Sequence, residues 1–198
     1  MVSGVGHMFT LEESPAAVYV PPPPEMRVLT WLFFATLSLI LLLQLRGFDE
    51  ALRIDGAPGG MVGFELAWSA ARAGGFLTAW GAADALETAK VSLGVDFAFL
   101  LAYPIMFSTG AALFVRPTST SAFDRCGAFI RKAVLACIPL DAIENLALWR
   151  MIDVGAGDGL AHLATVCAVI KFLLVIAAAV WCLAALVRRI ASRTPATA

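Results

Sequence analysis

The sequence predicts an all-α fold, a four-helix transmembrane bundle with short amphipathic helices capping its outer face. Three observations predict it. Of 198 residues, 60% are hydrophobic and only 15% charged, with a mean hydropathy of +0.84, whereas a soluble domain carries roughly 25% charged residues. The apolar residues are gathered into four long runs. Basic residues collect in alternate connections between those runs, as they do in multi-pass proteins.

Residues 1–27 read as a disordered tail. Gly and Ser come early, and Pro21 to Pro24 favour an extended polyproline stretch that lacks backbone donors. The first span is 28–45, long enough at ~27 Å to cross hydrocarbon. Arg46-Gly47-Phe48-Asp49-Glu50 follows in place of a small-residue cleavage site, so the span is expected to stay uncleaved. Arg46 to Asp55 reads as a polar exit and Gly56-Ala57-Pro58-Gly59-Gly60 as a turn. Over 60–90, Phe64, Trp68 and Ala71 recur at helical spacing, and Phe76, Leu77 and Trp80 follow. That predicts one or two short helices on the outer face, with Trp68 and Trp80 at the interface and a weak point or break at Gly74-Gly75.

The second span is 91–115, with Pro104 expected to kink it. A basic loop follows to Lys132. The third span is 133–152, and a glycine-rich turn at 153–159 leads to the fourth, 163–187. Residues 191–198 form a C-terminal tail. The 116–132 loop holds Arg116, Arg125, Arg131 and Lys132, and the chain end holds Arg188, Arg189 and Arg193. Both therefore face the cytoplasm, as does the N-terminus, in an inner (plasma) membrane protein. The lipid bilayer is the first expected partner.

Several functions are excluded. A net charge of −1 gives no field for nucleic acid. His7 and His162 are too few for membrane haem, and no cofactor or metal site is expected. Cys126, Cys137, Cys167 and Cys182 form no CxxC pair and read first as small buried hydrophobes, with a disulfide or redox pair as the alternative. Met151 to Gly159 resembles the glycine-rich first motif of class I methyltransferases, which binds S-adenosylmethionine. It has no strand before it and too few residues after it, so it reads as a turn.

The chemistry lies inside the spans. Asp96, Asp141, Glu144, Asn145 and Lys171 fall within apolar runs. An ionisable group at membrane depth costs at least ~2.5–3.5 kcal/mol and persists only when paired, turned into the bundle or facing a wet cavity. Measured along the helices, all four charges lie ~9–14 Å from the outer boundary. Asp141, Glu144 and Asn145 stand at i, i+3 and i+4 on one face. Lys171 shares a stripe with Ala164, Cys167, Ala168 and Ala178, small residues that admit a neighbouring helix. Asp96 and Tyr103 share a face of the second span.

No polar residue on its own helix lies within reach of Lys171, so its partner must come from another span. Asp141 matches it best in depth. Three carboxylates against one lysine give a formal −2, which cannot sit desolvated without protons, a cation or water. Three function classes follow. The first is an outward-facing polar pocket binding or passing a small polar, cationic or lipid-headgroup ligand. The second is an accessory subunit, serving a membrane partner protein, whose ion pairs only fix helix packing. The third is a lipid-modifying enzyme with Asp141 or Glu144 as acid/base.

Phe64-Glu65-Leu66-Ala67, Leu93-Gly94-Val95-Asp96-Phe97-Ala98-Phe99, Asp141-Ala142-Ile143-Glu144-Asn145 and Lys171-Phe172 together resemble an uncharacterised family of small bacterial four-span membrane proteins. The resemblance covers about residues 60–185. It implies a four-helix fold, carries no activity, and adds Glu65 of the outer segment to the intramembrane polar set.

Overall fold

The computed structural model describes residues 23–115, 119 and 121–192. Seven helices run in order: α1 Pro24–Leu52, α2 Gly60–Glu65, α3 Ala70–Ala82, α4 Leu86–Phe114, α5 Ala122–Ala133, α6 Cys137–Val154 and α7 Asp158–Ala191. No strand forms among the described residues. Three helices, α1, α4 and α7, are long and apolar enough to cross a membrane. The expected third span is not among them. Its helix, α6, has 18 residues and carries Asp141, Glu144, Arg150 and Asp153.

α4 is the hub. It packs against α1, α6 and α7, while α6 and α7 pair as a hairpin across the turn at 155–157. α1 lies along α4 and touches α2, but does not pack side by side with α7. It buries only Ser38 and Leu52, leaving Leu29, Phe33, Leu39 and Leu43 exposed. α7 likewise exposes Leu173, Ile176, Val180 and Leu183. Such continuous apolar surface marks contact with lipid or another apolar partner rather than water.

α1 begins at Pro24, whose missing N–H costs nothing in the first turn. The tail expected over 1–27 thus gives way to helix by Pro24, and its remainder lies outside the described residues. α1 also runs beyond the expected span end at 45, into the expected exit as far as Leu52, held by an Asp49–Arg53 pair at 2.7 Å, one turn apart. The other oxygen of Asp49 accepts from Met61 N at 2.8 Å and so caps the start of α2.

The segment expected to form short helices does so, as α2 and α3. Its tryptophans divide. Trp68 is exposed, whereas Trp80 is fully buried with Phe64 and Phe76, its ring N–H donating to Leu52 O at 2.9 Å. α3 runs straight through Gly74-Gly75, where a weak point or break was expected. Its buried Trp80 and Ala73 outweigh the ~1 kcal/mol cost of each glycine. Three hydrogen bonds fasten this cap to α7. Asp158 Oδ1 accepts from Ala70 N at 2.7 Å, and the Thr165 hydroxyl accepts from Trp68 N at 3.0 Å while donating to Glu65 O at 2.9 Å.

α4 continues as one helix through buried Pro104. The expected basic loop at 116–132 instead holds α5. Ser121 caps it, accepting from Asp124 N at 3.1 Å, and Arg131 and Lys132 complement the dipole at its end. Gly127 of α5 lies directly against the Trp181 ring of α7, where any Cβ would overlap it. Trp181 also stacks on Phe123 at 5.1 Å and donates to its carbonyl at 3.2 Å. A 3-10 turn, Val134–Ala136, separates α5 from α6. Pro139 explains it, since a proline has no N–H for the carbonyl four residues back.

Candidate functional site

All seven residues singled out from the sequence converge at one place. α6 presents Asp141, Glu144 and Asn145 inward, at 1%, 0% and 2% exposure. α7 brings Lys171 against them on its small-residue face, which packs closely on α6. The ammonium Nζ donates to Asp141 Oδ1 at 2.7 Å and to Glu144 Oε1 at 3.0 Å, with Glu144 Oε2 at 2.9 Å but poorly aligned. From α4, Tyr103 Oη donates to Asp141 Oδ2 at 3.0 Å. Asn145 Nδ2 donates to Asp96 Oδ2 at 2.7 Å. The spacing of the acids on α6 thus sends Asp141 and Glu144 to α7, while Asn145 turns to α4.

Glu65 completes the cluster from the end of α2. Its carboxyl shares the electrostatic field of Lys171, Asp96, Asp141 and Glu144. Burial, more than any neighbouring charge, pushes its ionisation up to about 7, with Asp96 and Asp141 adding to the rise and Lys171 opposing it. Four carboxylates now face one ammonium, formally −3 if all are ionised.

The cluster forms the floor of a cavity of about 520 Å³. Ala35, Ser38, Leu39, Leu42 and Leu45 of α1 make one wall; Phe172 and Val175 of α7 make the other. Phe99, Tyr103, Met106 and Phe107 of α4 lie beneath, and Met61, Val62 and Glu65 of α2 close one end near Arg46 and Asp49. Asp96, Asp141 and Lys171 reach its surface, whereas Glu144 and Asn145 stand behind them. The walls are mainly apolar. The cavity occupies the gap left because α1 packs on α4 and not on α7.

Sequence reading missed the α1 side. Ser38 is 4% exposed, lines the cavity, and its hydroxyl has no hydrogen-bond partner. Its signal was a lone small polar residue between Leu37 and Leu39 in the most apolar part of the first span. Thr165 was missed as well, although it sets the height of Glu65. The four cysteines are free; Cys137 and Cys167 are buried beside the cluster, while Cys126 is exposed.

These buried groups can hold a proton, orient a polar headgroup or neutralise a cation at the end of an apolar groove. No family model, curated protein or solved structure matches the chain.

Proposed function

We propose that this chain is a small multi-pass inner-membrane protein whose polar cavity binds a ligand with a polar or cationic group. In this reading α6 also spans the membrane, as the third of four spans in chain order. It carries its charges across by turning them onto α4 and α7, which removes the usual cost of a charged residue facing lipid. The α2–α3 cap lies outside, and α5 lies on the cytoplasmic side with both termini. The observation that carries the reading is the cavity itself, whose apolar walls end on a net-negative floor and an unpartnered buried hydroxyl. A structural clamp alone would leave neither.

Replacing Ser38 by cysteine, with the native cysteines removed, tests it. A cationic methanethiosulfonate should modify the new thiol faster than an anionic one of the same size, since the floor attracts positive charge. Failure of both to react would mean a closed, dry core and would favour the packing role. That second reading has its own support, because Lys171 is already paired with both Asp141 and Glu144.

A further inference from the structure

Resting on that reading, we infer that the ligand is an amine-headed amphiphile, entering sideways between α1 and α7 with its ammonium against Asp96 and Glu65 and its chain along α1. Charge sets the headgroup. Lys171 is taken by Asp141 and Glu144 and Asp49 by Arg53 and Met61 N, which leaves Asp96 and Glu65 as the cavity-lining carboxylates that no cationic side chain pairs. A second ammonium would bring the cluster towards neutrality, and the Ser38 hydroxyl offers a further acceptor. Among the described residues, no three carboxylate, His or Cys side chains stand in an arrangement that could hold a metal ion. That donor set suits an ammonium better than a bare metal cation.

Shape sets the tail. Leu39, Leu42, Phe107 and Val175 give the charged floor a long greasy approach, which a short polar amine would leave empty. A volume of about 520 Å³ lies within the ~300–1,000 Å³ typical of small-molecule sites. The gap is flanked by the lipid-type surfaces of α1 and α7, so a bilayer-dissolved molecule can reach it without crossing water.

The test uses the full chain in phosphatidylcholine nanodiscs and a dodecylamine carrying a diazirine mid-chain. Photolabelling should concentrate in residues 35–49 and 171–175, and unlabelled dodecylamine should compete while dodecyl sulfate should not. Asp96→Asn and Glu65→Gln should each cut labelling about tenfold, the scale of one lost charge-assisted hydrogen bond. Leu42→Trp, which fills the groove and keeps every charge, should cut it as well. Equal labelling by the matching dodecanol probe, or labels spread over Ile176 and Val180, would overturn the inference. A parallel arm asks whether methylammonium protects Ser38→Cys from modification. Protection without amine-specific photolabelling would leave the pocket standing and remove the amphiphile. Neither effect would remove both.

Discussion

The two sides of the cavity floor differ in how their polar atoms are satisfied. On the α6–α7 side the principal groups have partners within the protein: Lys171 with two carboxylates, Asp141 with Tyr103, Asn145 with Asp96. Glu144 Oε2 is the exception there, and on the α1 side Ser38 has no partner, while α1 packs along α4 rather than along α7. A buried polar atom without a partner costs ~1–3 kcal/mol. The molecule thus has a side tied together by ion pairs and hydrogen bonds and a side that lacks them, and the proposed ligand site lies on the second.

Breaking the satisfied side should have the largest effect. Lys171→Met leaves Asp141 and Glu144 facing each other in a buried site, a loss of ~3–5 kcal/mol. Asp141→Asn should also destabilise. The double variant should recover part of the loss, measured by thermal unfolding in a mild detergent. Simple addition would show that the 2.7 Å contact carries no coupling.

Gly127→Val drives a side chain into Trp181. It should cost ~1–3 kcal/mol, as overpacking does, and should release α5, read as faster amide exchange over 122–133. Exchange at the cavity floor should be unchanged. A matching loss there would mean that the two ends fold as one unit and that the contrast is not local.

Acidity should sharpen the comparison. Glu65 is ordinarily a pKa 4.5 group, and burial raises it to about 7 in the fold. A raised carboxylate favours folding when protonated. Its contribution is therefore complete below about 4.5 and lost as pH climbs to about 7. Glu144, Lys171, Asp96 and Asp141 share its field. The unfolding temperature should fall from pH 5 to pH 8 in wild type, and less so in Glu65→Gln. Identical slopes would remove Glu65 from the cluster.

The smallest effect should be Ser38→Ala. Removing an unpartnered hydroxyl from a buried position should be neutral or stabilise by less than ~1 kcal/mol without ligand. A clear destabilisation would mean that the hydroxyl has a structural partner and that the α1 side is not the exception it looks.

What could be read from the chain divides along the same line. Lys171 was legible because charge in an apolar run is loud and its own helix offered no partner. Depth counting then pointed to Asp141. Asp96 to Asn145 was not legible, because two polar residues on different helices carry no sign of which pairs with which. Ser38 was hidden by its mildness, since a lone serine rarely decides a helix. α5 was hidden by its charge. Arg125, Arg131 and Lys132 made 116–132 look like a loop, while Phe123, Gly127 and Ile130 supplied the helical spacing that packs on α7. α6 shows the opposite limit. Its run looked like a span, yet the charges that mark the site also leave it too polar to qualify on composition.

The turn at Gly155 to Gly157 bears on how the chain is made. If α6 spans the membrane as proposed, synthesis delivers Asp96, Asp141 and Glu144 to the bilayer before their counter-ion Lys171. The turn is so short that α6 and α7 can enter side by side as a hairpin, with lysine and acids already joined. A nascent chain halted before Lys171 would have to neutralise its acids with protons or stay outside. On the proposed reading, α7 thus brings to the hairpin the counter-ion that the acids of α6 require.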